Sequence, residues 1–523
     1  MNLNQKRVLL QVKNVATKIS PSDAANDVRN ICSFFEAEVT RNGVRRTRDS
    51  KSRSFFNSET ESFPTGWIYY VKTKLQKLGY SVNIEDLRPI STLTLIPELN
   101  VNVPDGIILR DYQQAAVDEI LKRTRGIISI CTGGGKTIVA AELIRRLKVP
   151  TFFIVPSTIL LYQAYDVFCD WFGVRQVGIL GESKKIIDKP VIVATQQTIW
   201  SSIKSIDSEV LQKMSETNAI MIDECHHIRA DLDGANTWFQ SLEYFDNAFY
   251  RIGLTGTPGK ERSIERRILE GATGRVAYEV SAAELISSGY ITPIHVIMVD
   301  VELGTTISVS NDRARNKIWH SNYKKNIVNN ELRNKAIIKT ASHFIDNNMS
   351  CYISVNLVES HGLNLYTELR RIYGPKVQFL HGKVKTNTRQ RVLRDFKNKD
   401  VLCVVGTILG EGVDIPSLDA VIMAGGGKSE YLSLQRIGRI LRKSSGKTTA
   451  YVVDFTDRDN SYNKDTGKKG SVGTFRRHAI ERQILYHNEG HRIWYSESGD
   501  ITDIVELTDV PLQPMSYEVM AAE

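Results

Sequence analysis

The 523-residue chain has only six cysteines, which are far apart in sequence and form no CxxC pair. This spacing argues against a zinc module and a disulfide framework, and it is typical of a protein in a reducing cytosol. No apolar run reaches the roughly 18 residues that span a bilayer, and residues 1–14 lack an apolar segment of signal-peptide length. We therefore expect a cytoplasmic protein with no membrane partner.

The chain also lacks a large excess of charge of either sign. Its net charge is +9, and its charged share of 24% and apolar share of 41% are ordinary for a globular protein. The positive balance favours a polyanionic partner without identifying one. The length exceeds what one hydrophobic core supports, so we expect three or four domains.

Short β-branched runs alternate with helical periods from about residue 104 onward. The first set of predicted strands comprises GIISI (126–130), TFFIV (151–155), VIVAT (191–195), AIMID (219–223) and RIGLT (251–255). After a polar stretch (311–334) the alternation restarts with YISV (352–355), VQFL (377–380), VLCVV (401–405), AVIMA (420–424) and AYVVD (450–454). Continuous apolar strands separated by helices predict parallel sheets covered on both faces. The fold class is therefore α/β, with two doubly wound parallel-sheet domains in tandem.

The segment CTGGGKT (131–137) lies between a predicted strand and a predicted helix. Glycines there let backbone N–H groups converge on a phosphate, and the helix adds its positive dipole end. We expect Thr132, Gly133, Gly134 and Gly135 to bind the phosphates of ATP. Lys136 would reach the β- and γ-phosphates and the Thr137 hydroxyl would coordinate Mg²⁺. The full phosphate-loop pattern has a glycine where this chain has Ile130, so a glycine turn with an exposed lysine is the alternative.

The segment IMIDECHH (220–227) places Asp223 and Glu224 at the carboxyl end of an apolar strand, the edge where open α/β sheets bind ligands. We expect Asp223 to hold Mg²⁺, partly through water, and Glu224 to orient and deprotonate the attacking water. The alternative is a solvated acidic turn with two surface histidines. We interpret His226 as a relay between the nucleotide and the neighbouring domain.

Together with these two segments, LTGTP (254–258), GTILGEGVDIP (406–416) and QRIGRILR (435–442) resemble the ordered motifs of superfamily 2 helicases and translocases. Within that superfamily, DECHH (223–227), ELISSGYITPI (284–294) and IVNNELRNKAI (327–337) are most similar to the UvsW-type phage helicases and the related XPB-type and restriction-type translocases. The resemblance covers roughly residues 105–460. It implies two RecA-like domains that use ATP and Mg²⁺.

The resemblance also implies roles for single residues. Thr255 and Thr257 would couple hydrolysis to movement. Gln435, Arg439 and Arg442 share one helix face by their spacing and would act at the γ-phosphate as an arginine finger. An arginine-rich surface helix is the alternative for that segment. Gln113 of LRDYQQ (109–114) would contact the adenine, and Gly412 and Asp414 would complete the nucleotide site.

Nucleic acid would cross the outer faces of both domains, held through its phosphates. The matching positions are Pro156, Ser157, Gln163, Thr195, His361, Gly362 and Thr407. Each could instead be an ordinary helix cap or turn.

The N-terminal segment RNGVRRTRDSKSRSFF (41–56) contains six basic residues, among them Arg45, Arg46 and Arg48, and ends in two phenylalanines. Phosphate binding and base stacking suit it, and a solvated disordered loop is the alternative. Residues 63–89 predict a helix, with Trp67, Tyr70 and Leu75 in its core, followed by a strand.

The domains are therefore expected at 1–103 (a small α/β accessory, DNA-binding domain), 104–295 and 296–460 (the RecA-like domains), and 461–523 (a helical extension). The expected function is an ATP-dependent DNA helicase or translocase that remodels forked or branched DNA in repair, recombination or replication. Single-stranded DNA and RNA–DNA hybrids are further candidate substrates, a monomer is compatible, and the host cytoplasm is expected if a phage encodes the chain.

Two alternatives remain within the class, a restriction-type duplex translocase without a nuclease and an RNA-directed ATPase. A non-hydrolysing scaffold is disfavoured because Lys136, Glu224 and Arg439 are all present. A metabolic P-loop kinase is disfavoured because it would not need a second α/β domain that carries QRIGRILR.

Overall fold

A computed structural model describes residues 6–35, 39–40, 43–44, 52–88, 93–96, 99, 103–104, 107–131, 133–228, 237–259, 261, 263–308, 312–407, 418–427, 449–488, 491–497 and 505–506. Its contacts divide the chain into two compact units, residues 1–131 with 135–280 and residues 132–134 with 281–523. All six cysteines are free thiols. Among the described helices, none combines the length and the apolar character needed to cross a bilayer.

The N-terminal part of the first unit is a small α/β layer built on a four-stranded sheet in the order β7-β2-β1-β8. Its strands are β1 (Arg7–Val12), β2 (Ala16–Ser20), β3 (Ser33–Phe35), β4 (Val39–Thr40), β5 (Gly43–Val44), β6 (Ser52–Ser54), β7 (Ser62–Pro64) and β8 (Ser81–Asp86). Its helices are α1 (Ala25–Ile31) and α2 (Ile68–Lys77). Trp67 and Leu75 are buried in its core as expected, whereas Tyr70 is partly buried and packs at the edge.

The large sheet of the first unit has eight strands in the order β12-β11-β13-β10-β14-β15-β9-β16. They are β9 (Arg125–Ile130), β10 (Thr151–Val155), β11 (Val177–Gly181), β12 (Lys184–Ile186), β13 (Val191–Thr195), β14 (Ala219–Ile222), β15 (Tyr250–Thr255) and β16 (Val276–Val280). Every recorded pairing is parallel except that of β12 with β11. The carboxyl ends of the parallel strands therefore share one edge.

The helices connecting these strands are α3 (Asp111–Arg123), α4 (Lys136–Leu147), α5 (Thr158–Phe172), α6 (Gln196–Lys204), α7 (Ser208–Ser215), α8 (Thr237–Glu243) and α9 (Ile264–Ala272). The residues of the six central strands, β9, β10, β11, β13, β14 and β15, are buried almost without exception. The edge strand β12 is exposed, and the other edge strand, β16, is mostly partly buried. The burial of the central strands explains why they are continuous apolar runs rather than alternating ones.

The N-terminal layer packs closely on α9 of the first unit. The indole Nε1 of Trp67 donates a hydrogen bond of 2.6 Å to the carbonyl oxygen of Arg267. A Cβ on Gly66 would lie 2.0 Å from the carbonyl oxygen of Glu270, so the two backbones touch. The residues expected to form a separate accessory domain thus share one compact unit with the first large sheet.

The second unit repeats the architecture with a sheet in the order β20-β21-β19-β22-β23-β17-β26-β27. Its strands are β17 (Ile294–Val299), β18 (Thr306–Ser308), β19 (Cys351–Ser354), β20 (Val377–Leu380), β21 (Cys403–Gly406), β22 (Ala420–Ile422), β23 (Ala450–Phe455), β24 (Ser461–Asn463), β25 (Lys469–Gly470), β26 (Arg492–Ser496) and β27 (Val505–Glu506). Its helices are α10 (Ala282–Ser287), α11 (Asp312–Tyr323), α12 (Glu331–Asp346), α13 (Leu363–Tyr373), α14 (Thr386–Lys397) and α15 (Thr474–Asn488). Strands β18, β24 and β25 form a separate three-stranded sheet.

The predicted fold class is confirmed, because each of the ten predicted strands overlaps an observed strand in two parallel-sheet domains. The C-terminal extension contains the expected helix, α15, and it also contributes strands. Strand β26 pairs in parallel with β17 and thereby widens the second large sheet.

Candidate nucleotide-binding and nucleic-acid-binding sites

The candidate phosphate loop joins β9 to α4 at the carboxyl edge of the first large sheet. Gly133 and Gly135 have φ angles of 87° and 83°, in the left-handed region that favours glycine. A Cβ on Gly135 would lie 2.5 Å from Nε2 of Gln113. The loop therefore needs glycine at position 135, and the amide of Gln113 lies beside it.

Gln113 lies in the first turn of α3 and is buried. Its Oε1 accepts a hydrogen bond from the backbone N–H of Arg110 and so caps the helix. The structure thus places the residue expected to read adenine against the phosphate loop, with its carbonyl oxygen already engaged. The adenine contact itself stays a prediction.

Lys136, the first residue of α4, is buried with 9% of its side chain exposed. Its Nζ lies 3.4 Å from Oε1 of Glu224 and 3.5 Å from the carbonyl oxygen of Ile130. Burial acts to lower the pKa of Lys136, but the carboxylates of Glu224 and Asp223 outweigh it, so the pKa is raised. The lysine therefore stays charged. Its burial excludes the alternative of an exposed lysine after a glycine turn.

Asp223 directly follows β14 and is buried, and its Oδ1 accepts a hydrogen bond from the N–H of Glu224 at 3.0 Å. Glu224 has φ of 46°, a left-handed conformation that is uncommon for residues other than glycine, asparagine and aspartate. This turn directs both carboxylates to the edge at which the phosphate loop lies. Because Asp223 is buried and the Glu224 side chain is only 13% exposed, this turn is not the solvated acidic turn of the alternative interpretation.

His226 and Thr255 extend the cluster to the end of β15. Nδ1 of His226 shares a hydrogen bond of 2.8 Å with Oγ1 of Thr255 and lies 3.4 Å from Oε2 of Glu224. The hydroxyl of Thr255 also accepts a hydrogen bond from the N–H of Thr257 at 3.1 Å. A continuous series of polar contacts therefore runs from Lys136 through Glu224 and His226 to the two threonines.

This donor set fits a nucleotide with a divalent cation. The charged Lys136, the glycine backbone and the N-terminus of α4 suit phosphate oxygens. The Thr137 hydroxyl, which is half-buried, and the Asp223 carboxylate are the oxygen donors that Mg²⁺ prefers. Among the described residues, no cluster of three or more histidine, cysteine or acidic side chains could hold a metal by itself.

The nucleic-acid contacts expected in the first unit lie at the same edge, on the neighbouring strands. Pro156 and Ser157 follow β10, and Thr195 ends β13, which pairs with β10 so that Val155 is opposite Thr195. Ser157 and Thr195 both cap helices, accepting hydrogen bonds from Leu160 and Thr198 respectively. Gln163 is half-buried on α5. Their nucleic-acid role stays a prediction.

In the second unit His361 lies inside the protein, and its nucleic-acid role stays a prediction. Its side chain is fully buried, and Nε2 lies 3.0 Å from Oδ1 of Asn334. Gly362 is also buried, and its N–H donates to the carbonyl oxygen of Leu357 at 2.9 Å. Both residues support the π-helical turn Val358–Gly362 after β19. Thr407 directly follows β21 and is half-buried.

Several expected site residues lie outside the described residues. They are Arg45, Arg46, Arg48, Thr132, Gly412, Asp414, Gln435, Arg439 and Arg442. Their roles stay predictions from the sequence.

Two buried arginines of the second unit were not singled out from the sequence. Arg333 bonds Asp457 at 2.7 Å and the carbonyl oxygen of Ala424 at 2.6 Å. Arg482 bonds Asp454 at 2.7 Å and the carbonyl oxygen of Gly427 at 2.6 Å. These arginines hold the ends of loop 424–427, which directly precedes the segment containing QRIGRILR. The resemblance segment 327–337 contains Arg333, but its sequence does not show that this arginine is buried.

Two family profiles match the chain. The family described as type III restriction enzyme, res subunit, matches residues 106–260. The helicase conserved C-terminal domain matches residues 333–444. The matches fall on the two large sheets in turn, and each includes motifs described above.

Known helicases and translocases are similar to this chain over most of its length. The ATP-dependent DNA helicase uvsW of Enterobacteria phage T4 is 26% identical over 396 residues, which cover 72% of this chain and 75% of uvsW. The DNA 3'-5' translocase XPB2 of Sulfurisphaera tokodaii is 26% identical over 368 residues, covering 65% of this chain and 80% of XPB2. The fold is similar to the fragment structure of a putative HsdR subunit of a type I restriction enzyme from Vibrio vulnificus YJ016, with a TM-score of 0.51 and 19% identity. The match covers 87% of this chain and 86% of that structure.

Proposed function

This chain belongs to superfamily 2 of the helicases and is a nucleic-acid-dependent ATPase, and from this premise we propose that it remodels forked or branched DNA. The observation that carries the motor part of this proposal is the series of contacts from Lys136 through Glu224 and His226 to Thr255. It joins the residues proposed for hydrolysis to the strand end proposed for coupling.

ATP with Mg²⁺, when bound, would supply the phosphoanhydride whose hydrolysis drives the motor. Lys136 and the glycine backbone would hold its phosphates, and Thr137 and Asp223 would hold the cation. Glu224 is then the residue that takes a proton from the attacking water. Because Lys136 now pairs with Glu224, a phosphate that attracts Lys136 leaves the Glu224 carboxylate available as a base.

His226 is proposed to report the state of Glu224 to β15. Its Nδ1 lies within 3.4 Å of Glu224 and shares the hydrogen bond with Thr255. A change at the carboxylate therefore alters a contact at the strand end, where Thr255 also holds the N–H of Thr257. We assign Gln435, Arg439 and Arg442 the stabilisation of charge on the transferred phosphoryl group, as the motif implies.

The proposed substrate is DNA with a junction between duplex and single strands. Support comes from the basic segment 41–56 and from the similarity to uvsW and XPB2, which are named as a DNA helicase and a DNA translocase. A second candidate is a duplex translocase of the restriction type, favoured by the family match over residues 106–260 and by the HsdR-like fold. We also propose a cytoplasmic location, which the similarity to a phage helicase supports.

The test is ATP hydrolysis by the full chain with no nucleic acid and with single-stranded, blunt duplex, forked and RNA–DNA hybrid substrates, together with strand displacement on the forked substrate. Fork remodelling predicts the strongest stimulation by forked DNA, with displacement of one strand. Strongest stimulation by blunt duplex without displacement would favour the restriction-type candidate. Equal rates with and without every nucleic acid would overturn the proposal.

A further inference from the structure

A basic surface with an exposed tryptophan lies on the second unit, and none of the residues proposed above belongs to it. We define this α11 surface as residues 312–325, strand β18 and the hairpin formed by β24 and β25 (461–470). Strand β18 pairs in parallel with β24, which pairs antiparallel with β25. The side chain of Asn322 on α11 donates to the carbonyl oxygen of Ile307 at 2.6 Å and accepts from its N–H at 3.2 Å. Helix and sheet are therefore joined by specific hydrogen bonds.

The α11 surface has a local excess of positive charge. Residues 312–325 and 461–470 contain eight lysines and arginines against two aspartates, in a protein whose net charge is +9. The lysines with described side chains are all exposed: Lys317, Lys324, Lys325, Lys464, Lys468 and Lys469. This clustering of like charges on a small area favours a polyanionic partner over a neutral one.

Trp319 gives the surface a second chemical character. Its side chain is 38% exposed, although tryptophan usually buries most of its surface. Its ring stacks on that of Tyr323 with centroids 5.1 Å apart and an angle of 11° between planes. Because Tyr323 is buried, it holds the indole in place. The exposed part of Trp319 therefore offers an aromatic surface on the helix that the exposed Lys324 and Lys325 directly follow in sequence.

The surface also lies where a bound strand could continue. Strands β17, β22, β23, β19 and β21 pair in parallel, so their carboxyl ends share one edge. The chain leaves β17 toward β18 and leaves β23 toward the hairpin, whereas Thr407 follows β21 at the same edge. Four strand spacings separate β21 from β17, roughly 19 Å at about 4.8 Å per strand. The α11 surface therefore extends the edge to which Thr407 belongs.

We propose that the α11 surface binds an unpaired stretch of a nucleic-acid strand, with one base stacked on Trp319 and adjacent phosphates held by Lys324 and Lys325. Lysines with an exposed aromatic ring are the combination that binds single strands without sequence preference. The inference rests on the proposed function, because it assigns a further part of the same strand to this unit.

The experiment measures binding of the full chain to a fluorescent oligo(dT) strand, an oligo(U) strand and a blunt duplex over a range of salt concentrations. Replacing Lys324 and Lys325 together by glutamine should weaken strand binding and lower the slope of log affinity against log salt by about 1.4, at about 0.7 for each phosphate. Trp319→Ala should weaken strand binding about tenfold, and Trp319→Phe should weaken it less. The matched control is Lys376→Gln, an exposed lysine at the amino end of β20, which should leave affinity and slope unchanged.

Parental affinity and slope in both the lysine and the tryptophan variants would overturn the inference while leaving the proposed function in place. An effect of the lysine variant on blunt duplex equal to that on single strands, with Trp319→Ala neutral, would also overturn it, because phosphate alone would then be recognised. Failure of the parental chain to bind any of the three nucleic acids would overturn the proposed function as well. Comparison of oligo(dT) with oligo(U) separates DNA from RNA as the source of the strand.

Discussion

Lys136 and Glu224 form a nearly buried ion pair, with Nζ and Oε1 3.4 Å apart and side chains that are 9% and 13% exposed. The lysine comes from the phosphate loop, and the carboxylate comes from the end of β14. Each charge stabilises the other where water is scarce, because a lone buried charge is costly. The lysine proposed to bind phosphate and the proposed base are thus held together at the carboxyl edge of one sheet.

The first prediction concerns Glu224→Gln. Glutamine keeps the shape of the side chain and can still lie beside Lys136, but it cannot accept a proton from water. We expect the ATP turnover number to fall by about 10²- to 10⁴-fold, the range typical of a general base. Nucleotide binding, measured separately with a fluorescent ATP analogue, should persist.

The matched control is Glu119→Gln, which removes a surface carboxylate that pairs with Lys122. It should change turnover little, because it lies on α3 and touches no residue of the proposed site. Wild-type turnover in Glu224→Gln would show that another group is the base.

The second prediction concerns Thr255→Val, which removes one hydroxyl with little change in volume. It breaks the hydrogen bond to His226 and the one from the N–H of Thr257. We expect about tenfold fewer strands to be separated for each ATP hydrolysed. The reason is that a change in the state of the Glu224 carboxylate would no longer be transmitted through His226 to β15. The measurement is the ratio of strand displacement to phosphate release on a forked substrate.

A double-mutant cycle with His226→Ala sharpens this prediction. Because the two side chains act through one hydrogen bond, the double variant should lose no more of the ratio than the more impaired single variant. If the double variant instead loses the product of the two single-variant losses in this ratio, the two residues act independently.

The third prediction concerns the stability of the second unit. Arg333 and Asp457 are both buried, and Arg333 also donates to the carbonyl oxygen of Ala424. Arg333→Met leaves the Asp457 carboxylate buried beside fewer donors, so we expect a loss of about 3–5 kcal/mol in the free energy of unfolding. Urea unfolding followed by intrinsic fluorescence measures it.

Arg371→Met is the control, because Arg371 pairs with Glu368 on the surface of α13, where both side chains are mostly exposed. Exposed pairs contribute about 0–1 kcal/mol. Equal losses in the two variants would mean that the buried pair has no special role in stability.

These residues also indicate how much the sequence could predict. Lys136 and Glu224 were placed together because strand ends of a parallel sheet share an edge, and a pattern of apolar strands specifies that edge. The partnership of Arg333 with Asp457 joins residues far apart in sequence, and no local pattern encodes it. Strand β26 was missed for a similar reason, because its pairing with β17 depends on a chain segment that returns to the sheet from the C-terminal extension.

The burial of His361 was also invisible in the sequence. The expectation of a nucleic-acid contact at His361 comes from the resemblance of residues 354–363 to a superfamily 2 motif, and such a resemblance does not show whether the ring is exposed. The π-helical turn instead directs the ring inward to Asn334. Side-chain direction in a turn depends on backbone angles that residue type does not determine.

The fourth prediction follows from that burial. Burial, with the nearby charge of Arg333, lowers the pKa of His361 from 6.5 to about 3. Between those two values the unfolded chain binds a proton that the folded chain does not. The contribution of this histidine to stability is therefore complete above pH 6.5 and is lost as the pH falls.

At about 1.4 kcal/mol per pH unit, the loss from this one group between pH 6.5 and 5 is about 2 kcal/mol. His361→Gln keeps an amide N–H that can donate to Asn334 but has no group that titrates in this range. We expect its urea midpoint to fall less than that of the parental chain when the pH is lowered from 7 to 5. Burial also lowers the pKa of His491 to about 4, which adds a separate loss of stability as the pH falls. The urea midpoint of a variant with both histidines replaced by glutamine should therefore depend still less on pH. Parallel pH dependence in the parental chain and His361→Gln would mean that His361 becomes protonated without unfolding, and the inward position of its ring would then have to be abandoned.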